Sequence, residues 1–222
     1  LYNIADTLII GQFVGANALA AVGSSYTLMT FLTSILLGLS MGSGVAVSIA
    51  FGQKDWDRLK RGVFLSFSGI GLAAVALSSL AFLGIDEIMR LLQVPEEIYE
   101  LMRRYLLVIF TGIGGTFLYN YLACLLRAIG NSVTPLIFLG ISAVLNVVLD
   151  LLFVLSAGWG VAGAAFATVI AQWLSGIGLL LYTVRKAPEL LPGRCHMKWN
   201  REEAAGIFRL SMITSVQQSI MN

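Results

Sequence analysis

The 222-residue chain reads as an all-α membrane protein, a six-helix transmembrane bundle followed by the start of a seventh helix. Three observations predict this. Hydrophobic residues make up 58% of the chain and charged residues 12%, about half the charged share of an ordinary soluble domain, and the mean hydropathy is +0.86. Charge is absent from Thr7 to Gln53, from Gly62 to Ile85 and from Tyr105 to Leu126, and between Ala128 and Tyr182 it is confined to Asp150. A membrane-crossing helix needs about 20 apolar residues, so these runs hold whole spans. The four prolines, Pro95, Pro135, Pro188 and Pro192, all stand at the margins of apolar runs.

In chain order, the first helix opens inside an apolar segment and ends near Val14. The second runs from Leu19 to Phe51 and the third from Gly62 to Leu83. The fourth runs from Glu96 to Arg127, where "VPEEIYE" sets Pro95 and two acids at the positive end of the helix. The fifth covers Pro135 to Leu155 and the sixth Gly160 to Val184. A seventh helix starts in "NREEAAGIFRLSM", with Asn200 as cap and Glu203 completing a capping box. The expected organisation is a bundle over 1–184, a connecting loop over 185–200 and the start of a second lobe over 201–222. The chain opens on Leu1 within an apolar stretch and closes at Asn222 soon after a helix begins, which reads as a fragment of something longer.

Lysine and arginine in the loops set the orientation. Lys54, Arg58, Lys60, Arg61, Arg127, Arg185, Lys186, Arg194, Lys198, Arg201 and Arg209 fall on one side. Arg90, Arg103 and Arg104 fall on the other, beside Asp86, Glu87, Glu96, Glu97 and Glu100. The first group is expected in the cytoplasm, so the first helix runs outward through the cell membrane. Cys124 in a span and Cys195 in a basic loop do not suggest a disulfide.

Asp150, in "SAVLNVVLDLLFV", is the chemical problem of the chain. A charged side chain at mid-membrane costs about 3 kcal/mol on insertion scales. At 1.5 Å per residue, Asp150 lies roughly 8 Å below the outer end of its helix. Asp6 on the first helix and Thr168 on the sixth each lie roughly 12 Å below theirs. Three helices therefore offer oxygen ligands at one level. Each ligand has a same-face companion four residues away: Tyr2 with Asp6, Asn146 with Asp150, and Gln172 with Thr168. Two carboxylates with neutral oxygens in one cavity suit a hard cation or a shared proton. Packing alone explains Asp150 poorly, since polar contacts between membrane helices return only about 0.6–2 kcal/mol. Asn146 and Thr168 taken singly suit interhelical hydrogen bonding as well as ion binding, and Asn120 lies deeper than the other ligands.

Other motifs carry less. The "GIGG" at Gly112 and "GSG" at Gly42 follow no strand, so they are not phosphate loops. Small residues at spacing four, Gly11 with Gly15, Gly38 with Gly42 and Gly160 with Ala164, are expected to permit close helix contact. Cys195–His196 lacks the further ligands of a metal site. One histidine and no G-x-S-x-G leave nucleophilic hydrolysis unsupported, so no enzyme activity and no nucleic-acid partner are expected. Arg127 reads as a snorkelling anchor.

Several segments carry a family likeness. "LYNIADTLIIGQFVGANALAAVG", "LLGLSMGSGVAVSIAFGQKD", "LLRAIGNSVTPL", "LNVVLDLLFV" and "GVAGAAFATVIAQ" stand in the order seen in multidrug and toxic compound extrusion (MATE) transporters, and the chain resembles their amino-terminal lobe. The resemblance implies one lobe of a twelve-helix, two-lobe antiporter, completed by a carboxy-terminal lobe. Such proteins export organic, often cationic, compounds in exchange for Na⁺ or H⁺, with no other cofactor. It further implies a cation or proton site at Asp6, Asn146, Asp150 and Thr168, with Na⁺ on the same four residues if sodium couples. Tyr2 and Asn120 match residues near the family's cavity, and Gln172, one turn from Thr168 on the same face, is expected to line it as well. The resemblance also implies that this lobe alone does not transport.

Rival readings are weaker on the residues. Lipid-linked oligosaccharide flippases share the broader architecture but have more basic cavities, and this lobe buries no clear Lys or Arg. An intramembrane aspartyl protease would need "YD" and "GxGD", whereas Asp6 follows Ala and Asp150 follows Leu. A channel would need a continuous polar stripe.

Overall fold

The computed structural model describes residues 2–196 and 201–221, which form nine α-helices where the sequence predicts seven, with differences that bear on the site. Helix α1 (Tyr2–Phe13) turns into α2 (Ala16–Gly52) at Gly15, whose φ of +120° only glycine adopts readily. The sequence had paired Gly15 with Gly11 as a helix contact; Gly15 makes the turn instead. The 37 residues of α2 extend about 56 Å, well beyond a hydrocarbon core of about 30 Å.

Helix α3 (Trp56–Leu83) begins before the expected Gly62 because Asp55 caps it, its Oδ1 accepting the Arg58 N–H at 3.0 Å. Arg58, Lys60 and Arg61 therefore ride on the first turns of a helix rather than in a loop. Helix α4 (Ile85–Leu91) was not foreseen. Its seven residues are too few to declare a period, although Ile85 and Met89 bury on one face and Asp86 and Glu87 occupy its first turn.

The expected fourth helix is two helices. α5 (Glu96–Phe110) and α6 (Ile113–Ala128) meet at 47° across Thr111 and Gly112. The expected fifth helix is α7 (Val133–Asp150), which continues as a wider π-helical segment, Leu151–Ser156. The sixth is α8 (Gly160–Lys186), and the basic segment after it contains two 3₁₀ turns, Pro188–Leu190 and Arg194–His196. α9 (Arg201–Met221) follows; its expected cap, Asn200, lies outside the described residues.

Among the described residues four helices, α2, α3, α7 with its π segment, and α8, are long and apolar enough to cross a membrane, and the α5–α6 pair meets the same requirement when its two bent halves are taken together. One core joins α2, α3, α5 and α6 around Leu36, Met102, Leu106, Phe110 and Tyr121. A second joins α1, α2, α5 and α8 around Ile10, Val22, Tyr105, Val161 and Ala165. The polar site lies beside this second core.

Helix α9 packs along α2 at two glycines. A Cβ at Gly38 would stand 2.3 Å from Ser215 Cα, and one at Gly42 would stand 2.4 Å from Ser211 Cα. Backbone meets backbone there, so this pair of glycines does permit the contact expected of it. At the basic end of the bundle, Arg61 Nε and Nη2 donate to the two carboxylate oxygens of Glu203, both at 3.1 Å, tying α3 to α9. Nearby, His196 Nε2 lies 2.9 Å from Asp57 Oδ1, tying the segment after α8 to α3.

Candidate functional site

Four helices bring the site together: α1 supplies Asp6, α5 Tyr105, α7 Asn146 and Asp150, and α8 Thr168. Asp6, Asn146 and Asp150 are fully buried and Thr168 is 3% exposed. Asp6 is richly partnered. Thr168 donates its hydroxyl to Asp6 Oδ2 at 2.9 Å, Tyr105 donates to the same oxygen at 3.5 Å, and Asn146 Nδ2 donates to Oδ1 at 3.4 Å. Asn146 Nδ2 also reaches Thr168 Oγ1 at 3.1 Å.

Asp150 is the opposite case. It sits one turn from Asn146 on the same face of α7 and close enough to Asp6 for the two carboxyls to act on each other directly. Among the described residues, neither of its oxygens meets an N–H or O–H donor, and Asn146 Oδ1 meets none either. Two carboxylates offer each other only acceptors, so their contact is a hydrogen bond only when one of them holds a proton. Buried polar atoms in native proteins nearly always have a partner. Three orphaned oxygens in one cluster leave a place for something positive.

Among the described residues no three His, Cys, Asp or Glu side chains come together as a metal site. A hard cation here would be held by the two acids together with neutral Asn and Thr oxygens. That donor set, all oxygen and carrying at most two negative charges, fits such an ion. It fits a proton equally well.

Thr168 also faces a second space. A cavity of about 300 Å³ is lined by Thr30 and Thr33 from α2, Thr116 and Asn120 from α6, and Thr168 and Gln172 from α8. Asn120 donates to Thr116 O at 2.9 Å. Asn120 and Gln172 are thus brought to one cavity, and Thr168 is common to cavity and cluster. The Tyr2 side chain lies outside the described residues. Tyr105 was missed by sequence reasoning. An aromatic at the edge of an apolar run reads as core, and it is 2% exposed; only the fold shows where its hydroxyl points. The π-helical stretch beginning at Leu151, immediately after Asp150, was also invisible in the sequence.

Comparison with known proteins places the chain. A family model described as MatE matches residues 1–152. A probable multidrug resistance protein, YpnP of Bacillus subtilis (strain 168), is 30% identical over 220 residues, covering 99% of this chain and 49% of that protein. A probable multidrug resistance protein, NorM of Thermotoga maritima, is 28% identical over 233 residues, covering 100% of this chain and 48% of its own length. A crystal structure of MATE in the bent conformation superposes with a TM-score of 0.92 at 24% identity, covering 98% of this chain and 49% of that one, a likeness of fold. An inward-facing multidrug resistance MATE family transporter superposes with a TM-score of 0.90 at 25% identity, covering 99% of this chain and 50% of that one. The chain spans about half the length of the curated relatives it matches.

Proposed function

Since the chain belongs to the MatE family and is part of a multi-pass protein of the cell membrane, we propose that it forms the ion-coupling lobe of an exporter of small organic, often cationic, compounds. Na⁺ or H⁺ entering down its gradient binds at Asp6, Asn146, Asp150 and Thr168. The organic compound occupies the cavity lined by Asn120 and Gln172. A carboxy-terminal lobe, of the size that the relatives have in addition to this region, completes the path.

The single observation that carries the reading is the cluster of orphaned buried oxygens, both of Asp150 and Oδ1 of Asn146, beside an Asp6 that already has three donors. A proton on Asp150 turns its carboxyl into a donor to Asp6. A Na⁺ ion satisfies the same oxygens by charge. Either passenger removes net negative charge from a site enclosed by apolar helices, which lowers the cost of closing it off from water. A ligand moves a conformational equilibrium only as far as it binds one state better than another. The charged pair favours the state open to water and the neutralised pair favours the closed one. Because Thr168 belongs to both cluster and cavity, loading the first changes the second.

Among the described residues no Lys or Arg lines the cavity, which supports an uncharged or cationic compound over an anionic lipid-linked sugar. The test is efflux from vesicles by the protein at its native length, with Na⁺ and pH gradients imposed separately. One of the two gradients drives efflux and Asp150→Asn abolishes that drive. Efflux indifferent to both gradients overturns the proposal.

A further inference from the structure

The break between α5 and α6 is held in place by hydrogen bonds from two other helices. Inside a membrane, interrupted backbone must be satisfied from within the protein. Val108 O and Ile109 O accept the tightened N–H groups of Thr111 and Gly112 at 3.0 and 2.8 Å. The next two carbonyls are met by side chains. Ser78 Oγ of α3 donates to Phe110 O at 3.2 Å, and Trp173 Nε1 of α8 donates to Thr111 O at 3.1 Å.

Helix α8 is seated in the break by shape as well. A Cβ at Gly112 would lie 2.7 Å from Gln172 Oε1 and 3.0 Å from Val169 Cγ2, and one at Gly115 would lie 3.0 Å from the backbone N of Trp173. Within six residues α8 therefore touches three places: Asp6 through Thr168, the cavity and Gly112 through Gln172, and the break through Trp173. The two halves of the bent span contribute differently to this arrangement. α5 brings Tyr105 to Asp6 and Ile109 to the cavity's edge next to the break, and α6 brings the polar Thr116 and Asn120 to the cavity.

We infer that the α5–α6 break is a hinge joining the Asp6–Asp150 cluster to the cavity, and that Trp173 and Ser78 are positioning residues that set its angle. The inference rests on the export reading above. A change in charge at Asp6 alters its hydrogen bonds from Thr168 and Tyr105 together. α8 then moves against α5, and Trp173 carries that movement into α6 by its hold on Thr111 O. The cavity wall formed by Thr116 and Asn120 swings while α5 stays with the cluster.

The experiment measures ethidium affinity of the native-length protein in lipid vesicles, with and without Na⁺ and at two pH values. It compares wild type with Trp173→Phe, which keeps the ring and loses the donor, and with Ser78→Ala. Each variant is expected to bind ethidium within about threefold of wild type when the coupling ion is absent, while the ion-induced change in affinity shrinks by about fivefold or more. Ser78→Ala is a mild change that keeps the test available should Trp173→Phe fail to fold. Variants that lose stability yet keep the full ion-induced change overturn the hinge and leave the export reading standing. A wild type whose ethidium affinity ignores both ions overturns the export reading, and the hinge with it.

Discussion

Asp6 and Asp150 are neighbouring buried acids with opposite surroundings: Asp6 accepts hydrogen bonds from Thr168, Tyr105 and Asn146, and among the described residues Asp150 accepts none. Under the proposed reading this asymmetry divides their roles: Asp6 is the acid held by donors from three helices, and Asp150 is the one left to take the coupling ion.

If the proposed coupling site is right, Asp150→Asn should stabilise the fold and remove ion coupling. The amide supplies a donor toward Asp6 and removes a buried acid whose oxygens have no partner, a defect of about 1–3 kcal/mol. Thermal unfolding in detergent should move upward, and gradient-driven efflux at native length should be lost. Lower thermal stability together with normal efflux is the opposite result.

Thr168→Val keeps the shape of the side chain and deletes the 2.9 Å donor to Asp6. It should cost about 1–3 kcal/mol of stability, as for a buried polar partner left unmatched. Thr168→Ser, which keeps the hydroxyl, should recover most of the loss. Equal unfolding midpoints for the two variants would show that the hydroxyl contributes nothing.

At the seam of α2 and α9, Gly42→Leu has no room beside Ser211. The side chain should push α9 away at about 1–3 kcal/mol, the usual cost of overpacking. Cysteines introduced at Ile35 and Ser215, where Ser215 Oγ now donates to Ile35 O at 3.3 Å, should cross-link readily in the parent and poorly in Gly42→Leu.

The bidentate Arg61–Glu203 pair is partly exposed, with side chains 33% and 27% accessible. A double-mutant cycle should return a coupling of about 0.5–1 kcal/mol that falls as salt rises. The exchanged pair, Arg61→Glu with Glu203→Arg, should retain part of it. A coupling that does not change with salt would mean the ion pair is not what the cycle reports.

Asp86 gives a pH dependence at the opposite end of the bundle. The Arg103 guanidinium, 3.0 Å away, and then the Tyr99 hydroxyl hold its carboxyl below the usual carboxylate range. A carboxyl whose pKa is lowered on folding contributes its full stabilisation above the unfolded value of about 3.9 and loses it as pH falls through the lower folded value. Wild type and Asp86→Asn should thus differ in stability at neutral pH and converge as pH falls through the lowered folded-state value. Amide exchange of α4, measured in both proteins across that range, checks it.

How much of this was legible depends on the distance over which each signal acts. The helix order and the level shared by Asp6, Asp150 and Thr168 follow from apolar length and a fixed rise per residue, both local quantities. Helix α4 escaped because it is only seven residues long. The break at Thr111–Gly112 escaped because "TGIGG" suits a continuous helix beside a close neighbour as well as it suits a bend. The donors that make the bend tolerable, Ser78 and Trp173, lie 32 and 62 residues away in the chain. Tyr105 escaped because a buried tyrosine reads as core until the direction of its hydroxyl is known.

By itself the sequence determined that these helices lie in a membrane and which of their side chains are expensive to leave there, because hydrophobic burial and charge cost are properties of single residues and short windows. The tertiary structure alone decided which buried acid would be surrounded by donors and which would meet none among the described residues. Hydrogen bonds act over about 3 Å, and only the packing of α1, α5, α7 and α8 brings residues 140 and 162 positions apart within that reach.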